Sequence, residues 1–153
     1  MTGGAQVLGV LALLGSGTVA GVLFAVALSV LPALIAMPMD RYVYAHKMIG
    51  RNWDPTMPIV VLGSTALDIA LVFLAPSGSA RTLFVVAAVL LLGVSGVSHL
   101  ANVPINRRVK VVDPDRIPSD WQDPRPLWRR WHLLRTGLAM LALLGNGVAL
   151  VVH

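Results

Sequence analysis

Residues 58–76 read PIVVLGSTALDIALVFLAP, an apolar run interrupted by a single carboxylate, Asp68. At 1.5 Å of rise per residue, a run of ~20 residues crosses a bilayer as a helix. Residues 132–152, HLLRTGLAMLALLGNGVALVV, repeat the pattern with His132 and Arg135 at the start. A third run closes on residues 97–106, VSHLANVPIN, which carries His99, Asn102 and Asn106. Ionisable groups are costly in hydrocarbon, so they turn into a bundle and mark a site.

Outward from these stretches, four apolar runs emerge, at about 6–36, 58–75, 82–105 and 127–152. They predict an all-α fold, a four-helix transmembrane bundle forming one domain over residues 1–153. Composition agrees: 56% of residues are hydrophobic and only 12% charged, against about 25% charged in a soluble domain. The first run outlasts the hydrocarbon, so it tilts or projects, and Pro32 kinks it near its end. Its opening, MTGGAQ, has no basic residue and the run is too long for a signal peptide.

The connections are unequal. Residues 37–57 and 107–126 are long and polar, whereas 76–81, PSGSAR, is a tight turn. With four spans the two long connections share one side. That side holds Arg41, Lys47, Arg51, Arg107, Arg108, Lys110, Arg116, Arg125, Arg129 and Arg130, against Arg81 alone on the other. The positive-inside bias places both long connections in the cytoplasm and both termini outside.

The absence of Cys excludes catalytic thiols, disulfides and thiolate metal centres. The net charge of +5 comes with no long block of one sign and no aromatic-rich basic pattern, which argues against nucleic-acid binding. A basic rim facing anionic headgroups accounts for it. No metal ligand set is expected. The lipid bilayer is the expected partner.

Helical rise sets the depths. Counted from the run starts, Asp68 lies ~15 Å in, Arg135 ~12 Å, and His99 ~10 Å above Asn106. The three are expected in a common layer, with His132 one turn nearer the cytoplasm. His99, Asn102 and Asn106 form one helical stripe, and Trp128, His132 and Arg135 another. Both stripes should face inward and form a pocket in the cytoplasmic half. Asp68 and Arg135 could equally be an ion pair that fixes register. The Trp and Tyr residues near that end serve as belt anchors, with one or two at the pocket mouth. His46 lies in a polar segment that is either surface or a lid over the pocket.

Asn102–Asn106 (NVPIN), the Asp/Pro-rich connection, and Trp128–Thr136 (WRRWHLLRT) together resemble the anthrone oxygenase-like family of small four-helix membrane proteins. GVLFAVALSVLPAL, residues 21–34, is similar to that family's Gly-Phe-Ser-Pro helix. The resemblance runs from about Gly21 to Arg135, and the segment DRYVYAHKMIGRNWDPTMP resembles a bacterial branch, which implies a bacterial plasma membrane. It points to Asn102, Asn106, Trp131, His132 and Arg135.

The resemblance implies cofactor-independent oxygenation of a lipophilic aromatic polyketide such as an anthrone. A base removes an acidic C–H, and the carbanion reacts directly with O₂. His99 or His132 would be the base. Arg135, Asn102 and Asn106 would hold the enolate oxygen, with Asp68 orienting Arg135 or the histidine. Trp128, Trp131 and His46 would contact substrate. Competing readings are an isomerase or cyclase using the same acid/base pocket, a bis-His haem site of His99 and His132, and a small transporter or non-catalytic membrane partner.

Overall fold

In the computed structural model, which describes residues 3–152, the chain is five helices and no strand. Helix α1 spans Gly3–Ala36, α2 Met39–Ile49, α3 Trp53–Leu74, α4 Gly78–Lys110 and α5 Arg125–Val151. Four of them, all but α2, are long and apolar enough to cross a membrane. α1 packs on α3 and α5, and α4 packs on α3 and α5, so neighbours in sequence are neighbours in space. This is the expected four-helix transmembrane bundle, with α2 as an addition.

The 34 residues of α1 and 33 of α4 would each extend about 50 Å, well beyond a hydrocarbon core of about 30 Å. Their projecting ends are used. Leu31 and Leu34 of α1, Tyr42 and Val43 of α2, Ile105 and Val109 of α4, and Trp128 of α5 form one apolar cluster. The segment 37–57, read as a polar connection, is therefore mostly helix, and α2 caps one end of the bundle.

Both projecting helices change pitch at the same place relative to a proline. Val26–Val30 and Ser98–Asn102 are π-helical, and Leu31 N–H bonds Val26 O just as Val103 N–H bonds Ser98 O. Pro32 and Pro104 follow directly. A proline inside a helix has no N–H and its ring collides with the carbonyl four residues back. Widening the preceding turn relieves that collision and leaves carbonyls free for other partners. Pro32 was expected to act as a kink; it acts through a π turn.

Arg125 ties the cap down. Its Nη1 donates to Leu34 O (3.1 Å), Ile35 O (3.2 Å) and Met37 O (2.6 Å), the carbonyls that α1 leaves unpaired at its C-terminus. Asp123 pairs with the same guanidinium at 2.8 Å, and the guanidinium lies 5.0 Å from the centre of the Tyr42 ring. Burial pushes the Tyr42 phenol up to about 12; the Asp123 charge adds to this and Arg125 opposes it. Burial would raise the Asp123 carboxyl, but the Arg125 hydrogen bonds and charge outweigh it and hold it below the usual range.

At the other end, Ser77 Oγ accepts from Ala80 N–H (3.2 Å) and donates to Val152 O (3.1 Å), which joins the short turn to the end of α5. Between α1 and α3 the approach is close: a Cβ at Gly15 would collide with the Ser64 side chain, whereas one at Gly21 would meet nothing within 4 Å.

Two outcomes follow. Gly15→Leu overpacks that contact and should lower stability by about 1–3 kcal/mol, read by thermal unfolding in detergent, while Gly21→Leu should not. A carboxyl depressed in the folded state stabilises above its ordinary value and loses that contribution as pH falls through its folded value. The stability gap between wild type and Asp123→Asn should therefore be full at neutral pH and close below about pH 4.

Candidate active site

A cavity of about 150 Å³ lies where the bundle meets its cap. Every helix contributes. Leu23, Val26 and Val30 come from the π turn of α1 and the residues before it, and Met57 and Val61 from α3. Ser98, His99 and Asn102 come from the π turn of α4, His46 from α2, and Trp128 and Arg135 from α5. The wall is mostly apolar, with a few converging polar groups, as in small-molecule sites. Ile49 (42%), Trp53 (41%) and His99 are exposed and mark its mouth.

Among the described residues, Arg135 is the one Lys or Arg side chain lining the cavity. Its Nε and Nη2 donate to His132 Nδ1 at 3.2 and 2.9 Å, and its Nη1 donates to Ser98 Oγ at 3.2 Å. Arginine can only donate, so Nδ1 carries a lone pair. His132 Nε2–H donates to Leu23 O at 3.0 Å. The imidazole is thus a neutral, fully engaged spacer between a backbone carbonyl and the guanidinium. The Leu23 carbonyl, in turn, lies just ahead of the π turn of α1. No carboxylate lies within 4 Å of Arg135 among the described residues.

His99 has the complementary arrangement. Its Nδ1–H donates to Ser95 O at 2.8 Å, which fixes the tautomer and leaves Nε2 as the acceptor nitrogen. Asn102 is completely buried and neither atom of its amide has a partner, although it faces the cavity. His46 is also buried, and its Nε2–H donates to Asn106 Oδ1 at 3.1 Å. Tyr42, His46, Trp128 and His132 form a continuous column of rings with centroids 5.4 Å apart at each step.

The sequence model of the Anthrone oxygenase family matches residues 45–145, which include every one of these cavity-lining side chains from His46 onward. The chain belongs to the anthrone oxygenase family. No curated protein and no solved structure matches it. Membership supports an oxygenase-like function at the family level, and the four apolar helices are compatible with an integral membrane protein.

Against the expectations from sequence, the structure brings together His46, His99, Asn102, Asn106, Trp128 and Arg135 around this family member's cavity. His132 stands behind it. Two residues lie elsewhere. Asp68 neither lines the cavity nor pairs with Arg135, because α3 begins at Trp53 and the carboxylate sits two turns past Val61, the last α3 residue in the wall. The shared layer and the ion pair are thus corrected. Trp131 is 37% exposed and off the wall, since the residue next to His132 is turned about 100° around the helix. A bis-His haem site does not fit either, with both nitrogens of His132 engaged.

Ser98 and the Leu23 carbonyl are the contributors that sequence reading missed. Part of the signal was present: Ser98 opens a turn widened by the proline that follows, and Leu23 stands three residues before the other such turn.

If His132 positions Arg135, the two are coupled. A cycle of His132→Ala, Arg135→Met and the double variant, followed by thermal unfolding, should give a coupling of about 1–3 kcal/mol. Additive losses would dismiss the pairing.

Proposed function

We propose that this member of the anthrone oxygenase family deprotonates a lipophilic aromatic ketone in the cavity and lets the resulting carbanion react with O₂ without a cofactor. The observation that carries this reading is the Arg135 guanidinium, which lines an apolar cavity with only neutral partners. A cation so placed favours an organic anion over its neutral parent. An anthrone supplies one, since its enolate spreads negative charge from carbon onto the ring ketone oxygen.

His99 is the base favoured by the geometry, because Nε2 is its acceptor nitrogen and His132 has none to spare. The substrate C–H proton passes to His99 Nε2. The enolate oxygen accepts hydrogen bonds from Arg135 and from the Asn102 amide. The carbanion carbon gives its electrons to O₂, and a C–O bond forms. The peroxide takes a proton to become a hydroperoxide. Loss of water then leaves the new C=O of a quinone, so one O₂ and one CH₂ become one carbonyl and one H₂O. Trp128 and His46 offer flat aromatic surfaces for the substrate rings.

The basic end of the molecule, with α2 and both long connections, faces the cytoplasm in this account, and the termini face out. The Lys and Arg bias supports that orientation.

The test is oxygen-dependent quinone formation from a panel of hydroxylated anthrones by detergent-purified protein. His99→Ala should lower saturable turnover by about 10²–10⁴, the usual worth of a positioned general base. His99→Ala turnover equal to wild type would remove His99 as base. Conversion that continues without oxygen would turn the reading into an isomerase or cyclase using the same pocket.

A further inference from the structure

One ionisable side chain in the bundle belongs to no part of this site. Asp68 is completely buried, and neither carboxylate oxygen has a hydrogen-bond partner within 3.5 Å; the Asn146 side chain is the polar group that interacts with it at longer range. Its neighbours offer no countercharge. Residues 3–36 of α1, 82–98 of α4 and 136–151 of α5 contain no ionisable side chain, and Asp68 is alone between residues 55 and 74 of α3. Arg135 precedes Asn146, the amide beside Asp68, by a stretch of α5 that spans about 16 Å at helical rise.

Asn146 is also completely buried. Its Nδ2 donates to Ser16 Oγ at 3.2 Å, and Ser16 Oγ donates to Ala12 O at 2.8 Å. Its Oδ1 has no partner. Ser64 and Thr65, one turn before Asp68 on the same face of α3, are buried too, with their hydroxyl protons donated to Val60 O and Val61 O. α3 and α5 thus bring a carboxylate against an amide whose Oδ1 has no donor, and Ser16 of α1 holds the same amide by its Nδ2. A buried carboxylate without a partner is strongly unfavourable. One small cation meets both needs, supplying the positive charge and occupying the acceptors.

We propose that Asp68 and Asn146 form a second site, in the half of the bundle away from the cavity, that binds one monovalent cation. A proton and a sodium ion share this chemistry. The proton makes Asp68 a donor to an oxygen acceptor. The sodium ion would sit among the carboxylate, Asn146 Oδ1 and the hydroxyls. Either occupant clamps α1, α3 and α5 together.

Infrared difference spectroscopy on the full chain in liposomes separates the cases. Asp68 is the one carboxyl side chain within the apolar spans, and a protonated-carboxyl band at pH 7 that is missing from Asp68→Asn reports it. With a proton bound, wild type shows this band, it shifts in D₂O, it is lost in Asp68→Asn, and it moves in Asn146→Leu. With sodium bound, the band is present in sodium-free buffer and is lost on adding sodium chloride but not choline chloride. Carboxylate absorption alone, insensitive to sodium and to D₂O, would overturn the proposal. The D₂O and sodium responses need only wild type, so a variant that fails to fold does not spoil the test. No turnover is involved, so this result and that of the quinone assay stand apart.

Discussion

A guanidinium held only by neutral groups is the constraint on which the site depends. Arg135 could have been neutralised by the one carboxylate in the spans, but Asp68 lies in another layer. Its partners are instead an imidazole nitrogen and a serine hydroxyl. Such a cation is tolerable because each donor that contacts protein is satisfied, and because the cavity it lines can receive an anion. His132 is what makes the arrangement rigid, since it is pinned from behind by the Leu23 carbonyl.

That carbonyl leads back to the prolines. Pro32 and Pro104 force the preceding turns open, and both widened turns abut the cavity. One wall gains Val26 and Val30, the other Ser98, His99 and Asn102. The same prolines stand where α1 and α4 run on into the cap, so the site forms at the junction of bundle and cap. Arg125 fastens the cap at the end of α1, and Tyr42 begins the ring column that reaches His132. The site therefore depends on elements outside the spans as much as within them.

Much of this was legible in the sequence, because the relevant physics is local. Run length and charge bias gave four spans and their common basic end, and the i, i+3, i+7 stripes brought Asn102, Asn106, Trp128 and Arg135 to one cavity. What local periodicity could not show was where α3 begins. Starting the span at Pro58 rather than Trp53 placed Asp68 too shallow, and from that error came its supposed pairing with Arg135. Nor could a stripe distinguish His132 from His99. Both are inward by pattern, but His132 has its second nitrogen taken by the distant Leu23 carbonyl, whereas His99 is held only through Nδ1 on Ser95 of its own helix. His46 was expected at the pocket, but the helix that carries it was not: α2 is polar by composition, and it becomes buried by packing on the extended ends of α1 and α4.

On the proposed reading, Arg135 makes the cavity an anion site in an apolar setting. The direct measurement is the absorption spectrum of a chromophoric naphthol bound to wild type and to Arg135→Gln, at a pH where the free dye is neutral. Wild type should show the naphtholate spectrum, and the variant the neutral spectrum or much weaker binding. A dye bound neutral and equally tightly by both proteins would contradict it.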